Sequence, residues 1–321
     1  MELFNLKKNK IQEVKIKPFK LEKDIQTLIE NNTETFFDLE FITTELSIGK
    51  YRVDSVCYDK ESNSFTIIEY KKGSSYSVID QGYTYLQLML NNKSDFVLVL
   101  SKHMNKVVDV KSIDWSQSKI IFISQSFNSY QKDSVNFKNL PFELYEIKRF
   151  DNNTIVLNQH ISNSNESIDS LSSNKGKSMI SSINKEVKVF DENDVLSKLN
   201  PEVREKWVQL KESLMSELED ISVFAKAGYV GISAGKRKNI CYLNVRKNGF
   251  QMDILRGNIL TDGRKSKGFF TIDDPKKISK AATWTWKSGV KGAVYKIKLD
   301  KDFDIDYIKF LIKQKYNNVT N

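Results

Sequence analysis

YRVDSVCYDKESNSFTIIEYKK, residues 51–72, decides how the first half of this chain folds. Two runs rich in Val, Ile, Tyr and Phe flank the polar turn DKESNS at 59–64, which is the pattern of a β-hairpin. The second run is apolar except where Glu69 and Lys71 interrupt it. Side chains alternate along a strand, so Glu69 and Lys71 project from one face. Asp54 lies at the end of the hairpin remote from its turn, where it can stand beside Glu69. A charge inside a buried strand is costly unless it is paired or metal-bound. Two neighbouring carboxylates repel when both are ionised, and a divalent cation removes the conflict. Such a cation acidifies a coordinated water and neutralises charge on a phosphate. Lys71 then adds positive charge where the transition state becomes more negative.

The flanking segments read as a sheet with helices around it. Residues 20–31, KLEKDIQTLIEN, place Leu21, Ile25, Leu28 and Ile29 on one helical face. Residues 39–48 predict a strand, and 76–92 a helix with Gln81 and Tyr85 at i and i+4 on one side. DFVLVL (95–100) and KIIFIS (119–124) read as short, wholly apolar strands of a sheet covered on both faces. FELYEIKRF (142–150) and NTIVLN (153–158) suggest a closing hairpin. The order predicts an α/β domain with a mixed central sheet and flanking helices.

Residues 161–186 are rich in Ser and Asn and poor in aromatics, so they read as a linker between domains at 1–160 and 187–321. The second domain reads as smaller and α+β. A helix over 201–219 starts at Pro201, strands follow at 229–233, 239–245, 249–255 and 293–299, and a last helix lies near 304–316. Charge divides the chain the same way. Residues 1–174 hold 21 Lys+Arg against 23 Asp+Glu, and residues 175–321 hold 29 against 18. The excess concentrates in 226–298, at 17 against 4, which suits a polyanionic partner. A lysine-rich background would have charged both halves alike.

Cys57 and Cys241 each sit in a strand-like stretch and read as buried free thiols. With two histidines and no Cys/His cluster, a structural zinc site is excluded. A hydrolytic metal would take oxygen ligands, which means magnesium or manganese. No apolar run is long enough to span a bilayer and the first residues lack a signal-peptide core, so cytoplasmic residence without a membrane partner is the expectation.

The ordered set resembles the PD-(D/E)XK nucleases, and within them the NucS-like and RecB-like members. It comprises Leu21-Glu22, Asp54, Glu69-Tyr70-Lys71 and Gln81-Gly82-Tyr83-Thr84-Tyr85, over roughly residues 15–130. Thr44-Glu45 also resembles a pair that precedes the Asp strand in NucS-like proteins. Val53 stands where the family name has Pro. The resemblance implies a restriction-endonuclease-like fold with Asp54 and Glu69 as metal ligands, joined by the Tyr70 carbonyl and by Glu22 directly or through water. It implies a catalytic Lys71, with Gln81 and Tyr85 positioning the site or touching the DNA backbone. No N-terminal DNA-binding domain of the NucS type is recognisable.

The second domain resembles a small domain of unknown function that follows such nuclease domains in bacteria. Lys236, Arg237, Lys238, Arg264, Lys265 and Lys267, in two glycine-bearing loops, suit DNA phosphates. Phe269, Phe270, Trp284 and Trp286 read first as packing residues and second as stacking surfaces for bases. The expectation is a magnesium- or manganese-dependent deoxyribonuclease in repair, restriction or defence. The rivals are a non-catalytic nucleic-acid-binding protein on a nuclease fold and a protein–protein adaptor. Oligomeric state is left open, a homodimer included.

Overall fold

A computed structural model describes residues 2–71, 78–137, 140–161, 183, 186–235, 238–246, 248–285 and 290–320. The chain divides into two compact units, Met1–Val189 and Phe190–Asn321. The stretch read as a linker lies almost wholly outside the described residues. Near its end, however, Ile183 and Val187 are buried in the core of the first unit. The first unit therefore reaches well past residue 160, and the second starts at Phe190.

The first unit opens with a hairpin of β1 (Leu3–Lys7) and β2 (Lys10–Val14). Its turn residues Lys8 and Asn9 both have positive φ, at 44° and 64°, as a two-residue turn matched to strand twist requires. Helices α1 (Glu22–Glu30) and α2 (Thr33–Phe37) lead into β3 (Glu40–Ile48), β4 (Tyr51–Asp59) and β5 (Ser64–Lys71). Then come α3 (Val78–Asn91), α4 (Lys93–His103), β6 (Lys119–Ser124), α5 (Ser129–Ser134), β7 (Phe142–Arg149) and β8 (Ile155–His160). The sheet runs β3-β4-β5-β6-β7-β8. Its first three strands pair antiparallel, β5-β6 and β6-β7 pair parallel, and β8 closes antiparallel.

This is the mixed, doubly covered α/β sheet that the sequence predicts. Alternation sorts its side chains. Phe65, Ile67, Ile120 and Phe122 pack on α3 and α4, and Cys57, Ile68, Ile121 and Ile123 pack on α1 and α2. Residues 95–100 are a correction, because they form the body of helix α4 and not a strand. An unbroken apolar run carries no period that separates strand from buried helix. In the helix Phe96, Val97 and Leu100 face the core, while Leu98 is 52% exposed.

The second unit begins with α6 (Glu192–Leu196) and α7 (Pro201–Glu217). Six strands follow: β9 (Ile221–Lys226), β10 (Tyr229–Ala234), β11 (Lys238–Arg246), β12 (Gly249–Ile259), β13 (Lys280–Thr285) and β14 (Lys291–Leu299). Helix α8 (Ile305–Thr320) ends it. The sheet is antiparallel throughout, ordered β13-β14-β12-β11-β10-β9. The helices bury Trp207, Leu210, Leu214, Leu311 and Ile312 against one sheet face, which carries Val230, Ile232, Leu243, Met252 and Ile297. Both cysteines are free and buried.

Candidate active site

Register brings the predicted pair together. Ser55 lies opposite Ile68, so Asp54 reaches the level of Glu69, and its Oδ2 accepts the backbone N–H of Tyr70 at 3.0 Å. Glu69 is only 5% exposed. It points from the same sheet face as Phe65 and Ile67, toward α3, because three residues share the period of two. Helix α3 approaches closely because Gly82 has no side chain. A Cβ there would lie 2.7 Å from the Phe142 ring, inside any normal contact.

The two oxygens of Glu69 have different surroundings. Its Oε1 accepts from Lys71 Nζ at 3.0 Å, Gln81 Nε2 at 2.8 Å and the Tyr85 hydroxyl at 3.3 Å. Gln81 also donates to the Tyr85 oxygen at 3.0 Å, which locks the i, i+4 pair on one helix face. Oε2 is buried and has no hydrogen-bond partner. A buried carboxylate oxygen without a donor costs desolvation that nothing returns. It is the kind of atom that a cation or a substrate proton satisfies.

The electrostatics agree. Burial first and the nearby Asp54 charge second raise the Glu69 carboxyl to about 7, against the pull of Lys71 and Tyr85. Asp54 is also raised by burial, opposed by the Tyr70 N–H and Lys71. The Tyr85 hydroxyl is pushed up by burial and then by the Glu69 charge.

A pH dependence follows. Unfolded, Glu69 ionises near 4.5, and folded, near 7. Between those values the folded state binds more protons at Glu69, so the stability this group contributes is full below about 4.5 and falls as pH rises toward 7. Asp54 acts in the same direction. The metal-free protein is expected to lose on the order of 3 kcal/mol from Glu69 across this interval. Glu69→Gln is expected to flatten the profile by that amount, read as unfolding free energy against pH. Equal slopes in the two proteins would show that this carboxyl is not titrating from a buried position.

The other predicted residues are placed differently. Glu22 is exposed in the first turn of α1, and among the described residues no three His, Cys, Asp or Glu side chains gather as metal ligands. Glu45 has φ of 51°, sits between Thr44 and Leu46, which face Ser55 and Val53, and pairs with Lys23 at 3.0 Å and Arg52 at 3.5 Å. The Tyr70 ring is buried, with its hydroxyl 3.1 Å from Ser55 Oγ. Two residues of α1 escaped the sequence reading. Gln26 donates to the Asp54 carbonyl at 3.2 Å, and Glu30 accepts from Ser55 Oγ at 2.7 Å. Both follow Glu22 at intervals of four, a face that the sequence displays once α1 is known to dock on β4.

In the second unit Lys236, Arg237 and Trp286 lie outside the described residues. Lys238 is exposed at the start of β11, the sheet end at which antiparallel β12 finishes. Arg264, Lys265 and Lys267 are exposed just beyond β12, at the same sheet end as Lys238. Arg264 Nε pairs with Asp262 at 2.6 Å, and Lys265 lies 5.0 Å from the Phe269 ring centre. Phe270 is a core residue, and Trp284 is 39% exposed on strand β13.

An uncharacterized protein of Haemophilus influenzae is 35% identical over 317 residues, covering 98% of this chain and 99% of its own length. The chain belongs to that protein's family. The match takes in both units. No protein-family model matches the chain.

Solved structures overlap only parts of it. A repair endonuclease from Pyrococcus abyssi is 18% identical and covers 36% of this chain and 43% of its own, with a TM-score of 0.21. An EndoMS complex with double-stranded DNA is 14% identical over 40% of this chain and 57% of its own, at 0.20. SfsA of Pyrococcus furiosus with Ca²⁺ is 12% identical over 47% and 77%, at 0.25. Among the described residues, no helix is long and apolar enough to cross a membrane.

Proposed function

We propose that the first unit is a divalent-metal-dependent deoxyribonuclease and that the basic second unit gives it affinity for DNA. The observation that carries this reading is the asymmetry of Glu69: three donors on Oε1, none on buried Oε2, and Asp54 beside it. Carboxylates without histidine or cysteine suit a hard cation, magnesium or manganese. Magnesium is commonly held by one or two carboxylates, with water and substrate phosphate completing its shell, so a pair suffices. Asp54 and Glu69 would hold it, with the Tyr70 carbonyl as a further donor and Glu22 reaching it through water. When bound, the ion supplies Lewis acidity toward the phosphate and acidifies a water.

The chain's own side chains do the rest. Gln81 and Tyr85 hold Glu69 in one orientation. Lys71 presents an ammonium on the same strand face, where negative charge develops on the phosphate. The test is incubation of purified protein with supercoiled plasmid, linear duplex and single-stranded DNA, in magnesium, manganese or EDTA. Cleavage with either metal and none in EDTA is expected. No cleavage of any substrate in either metal would overturn the enzyme reading. The non-catalytic nucleic-acid-binding protein would then come first, a reading favoured by the lack of a third acidic or imidazole ligand among the described residues.

A further inference from the structure

The second sheet has two unlike faces. Its helices cover one. The other is lined by half-exposed side chains whose order becomes visible only in the register. One row crosses all six strands: Phe224 on β9, Gly231, Tyr242, Asp253, Lys296 and Lys280 on β13. The adjacent row on the same face runs Lys226, Tyr229, Asn244, Gln251 and Lys298. Aromatics thus occupy one half of the face and most of its lysines the other.

The aromatic half is built, not scattered. The Phe224 ring lies across Gly231, where any Cβ would collide with it. Tyr229 and Tyr242 stand 5.2 Å apart, each 6.5 Å from Phe224. Asn239 Nδ2 holds the Tyr242 hydroxyl at 3.1 Å. The open face of an antiparallel sheet is ordinarily polar, so three aromatic rings there are out of pattern.

The other half is short of anions. Lys280 sits directly opposite Lys296, a like-charge pair that destabilises a ladder. Asp253, 3.3 Å from Lys296, is the sole acidic residue in the two rows, against four lysines. Rings that stack and lysines that outnumber acidic groups, about 10 Å apart across two strand spacings, fit a chain with planar groups on a polyanionic backbone. A duplex hides its base faces, whereas an unpaired strand offers them.

We propose that this face is a platform for unpaired nucleic acid, with Phe224, Tyr229 and Tyr242 stacking on bases and Lys280, Lys296 and Lys298 meeting phosphates. The proposal rests on the reading of the chain as acting on DNA, and it adds the form of strand that the second unit holds. Asn244 and Gln251 donate to Asp253 between the two halves, at 3.4 Å and 3.0 Å. They put amide and carboxylate groups within reach of base edges, without a fixed sequence being required.

The test measures fluorescence anisotropy of a labelled oligothymidylate of about 30 nucleotides, long enough for several stacked bases, on the full chain in EDTA. The wild type is expected to prefer it over a duplex of equal length. The double variant Tyr229→Ala/Tyr242→Ala should bind at least roughly tenfold more weakly, since each stacked base is worth about that factor or more. Tyr242→Phe should stay close to wild type. Lys280→Gln/Lys298→Gln should lower the log–log salt slope by about 1.4, two single-strand phosphate contacts. Wild-type binding by the tyrosine variant, an unchanged slope in the lysine variant, or a preference for duplex would each overturn the proposal. If circular dichroism shows the tyrosine variant unfolded, the lysine variant, altered only at exposed positions, decides. Binding is read without metal, so the two proposals fail separately. Loss of binding in the variants from a protein that never cleaves would sink the nuclease reading alone.

Discussion

Asp54→Asn and Glu69→Gln are each expected to abolish metal-dependent cleavage, by roughly 10³-fold or more, while leaving the fold intact and no less stable at pH 7. The two halves of this result have one cause. Burial raises the pKa of both wild-type carboxyls, and for Glu69 the Asp54 charge adds to it. Removing the Asp54 charge relieves Glu69, and Glu69→Gln removes a carboxylate whose burial is uncompensated. Glu69→Gln keeps the volume inside a strand that is buried along its whole length up to Tyr70. A cation would lose an anionic ligand, and nothing else within the carboxylate pair replaces it. Plasmid-cleavage rates and thermal unfolding at pH 7 measure the two halves. Wild-type cleavage by both variants would sink the assignment of the site. Lost cleavage with a large fall in stability would mean that the pair is structural.

Lys71→Ala is expected to lower turnover by roughly 10²–10³-fold while metal binding persists. Among the described residues, its ammonium is the positive charge that pairs with Glu69, and it lowers the Glu69 pKa. Without it, protonation of Glu69 persists to higher pH, so metal binding in the variant should require a more alkaline medium. At pH 8 and above, titration calorimetry should find wild-type stoichiometry. This shift separates a charge acting on the phosphate from one that merely holds Glu69. Abolished metal binding at all pH values, with residual turnover unchanged, would show that Lys71 serves Glu69 alone.

What the sequence discloses depends on whether a residue's role has a period. Glu69 and Lys71 break an apolar strand at a spacing of two, and Gln81 and Tyr85 share a helical face, so the cluster is legible before any coordinates exist. DFVLVL has no internal contrast, and only the exposure of Leu98 beside buried Val97 reveals a helix. Gln26 and Glu30 are hidden for another reason. Polar residues on a helix are solvated by default, and only the docking of α1 on β4 turns them toward Asp54 and Ser55. The open face of the second sheet was illegible because it depends on pairing. Phe224, Tyr242 and Lys280 are far apart in sequence, and no local pattern says that one row of the ladder joins them. Trp284, which stood out in sequence, lies opposite Gly292, and its ring occupies the space a Cβ there would need.

The three donors on Glu69 Oε1 also bear on ion discrimination. A carboxylate pinned through one oxygen cannot swing to offer both, so a cation held by it would meet a one-toothed ligand. Calcium takes six to eight oxygens and often grips carboxylates through both, whereas magnesium accepts single oxygens in an octahedron completed by water. If the proposed cation binds there, the clamp formed by Lys71, Gln81 and Tyr85 would act as a filter by coordination number, set against the larger ion without any change in the atoms that would touch it.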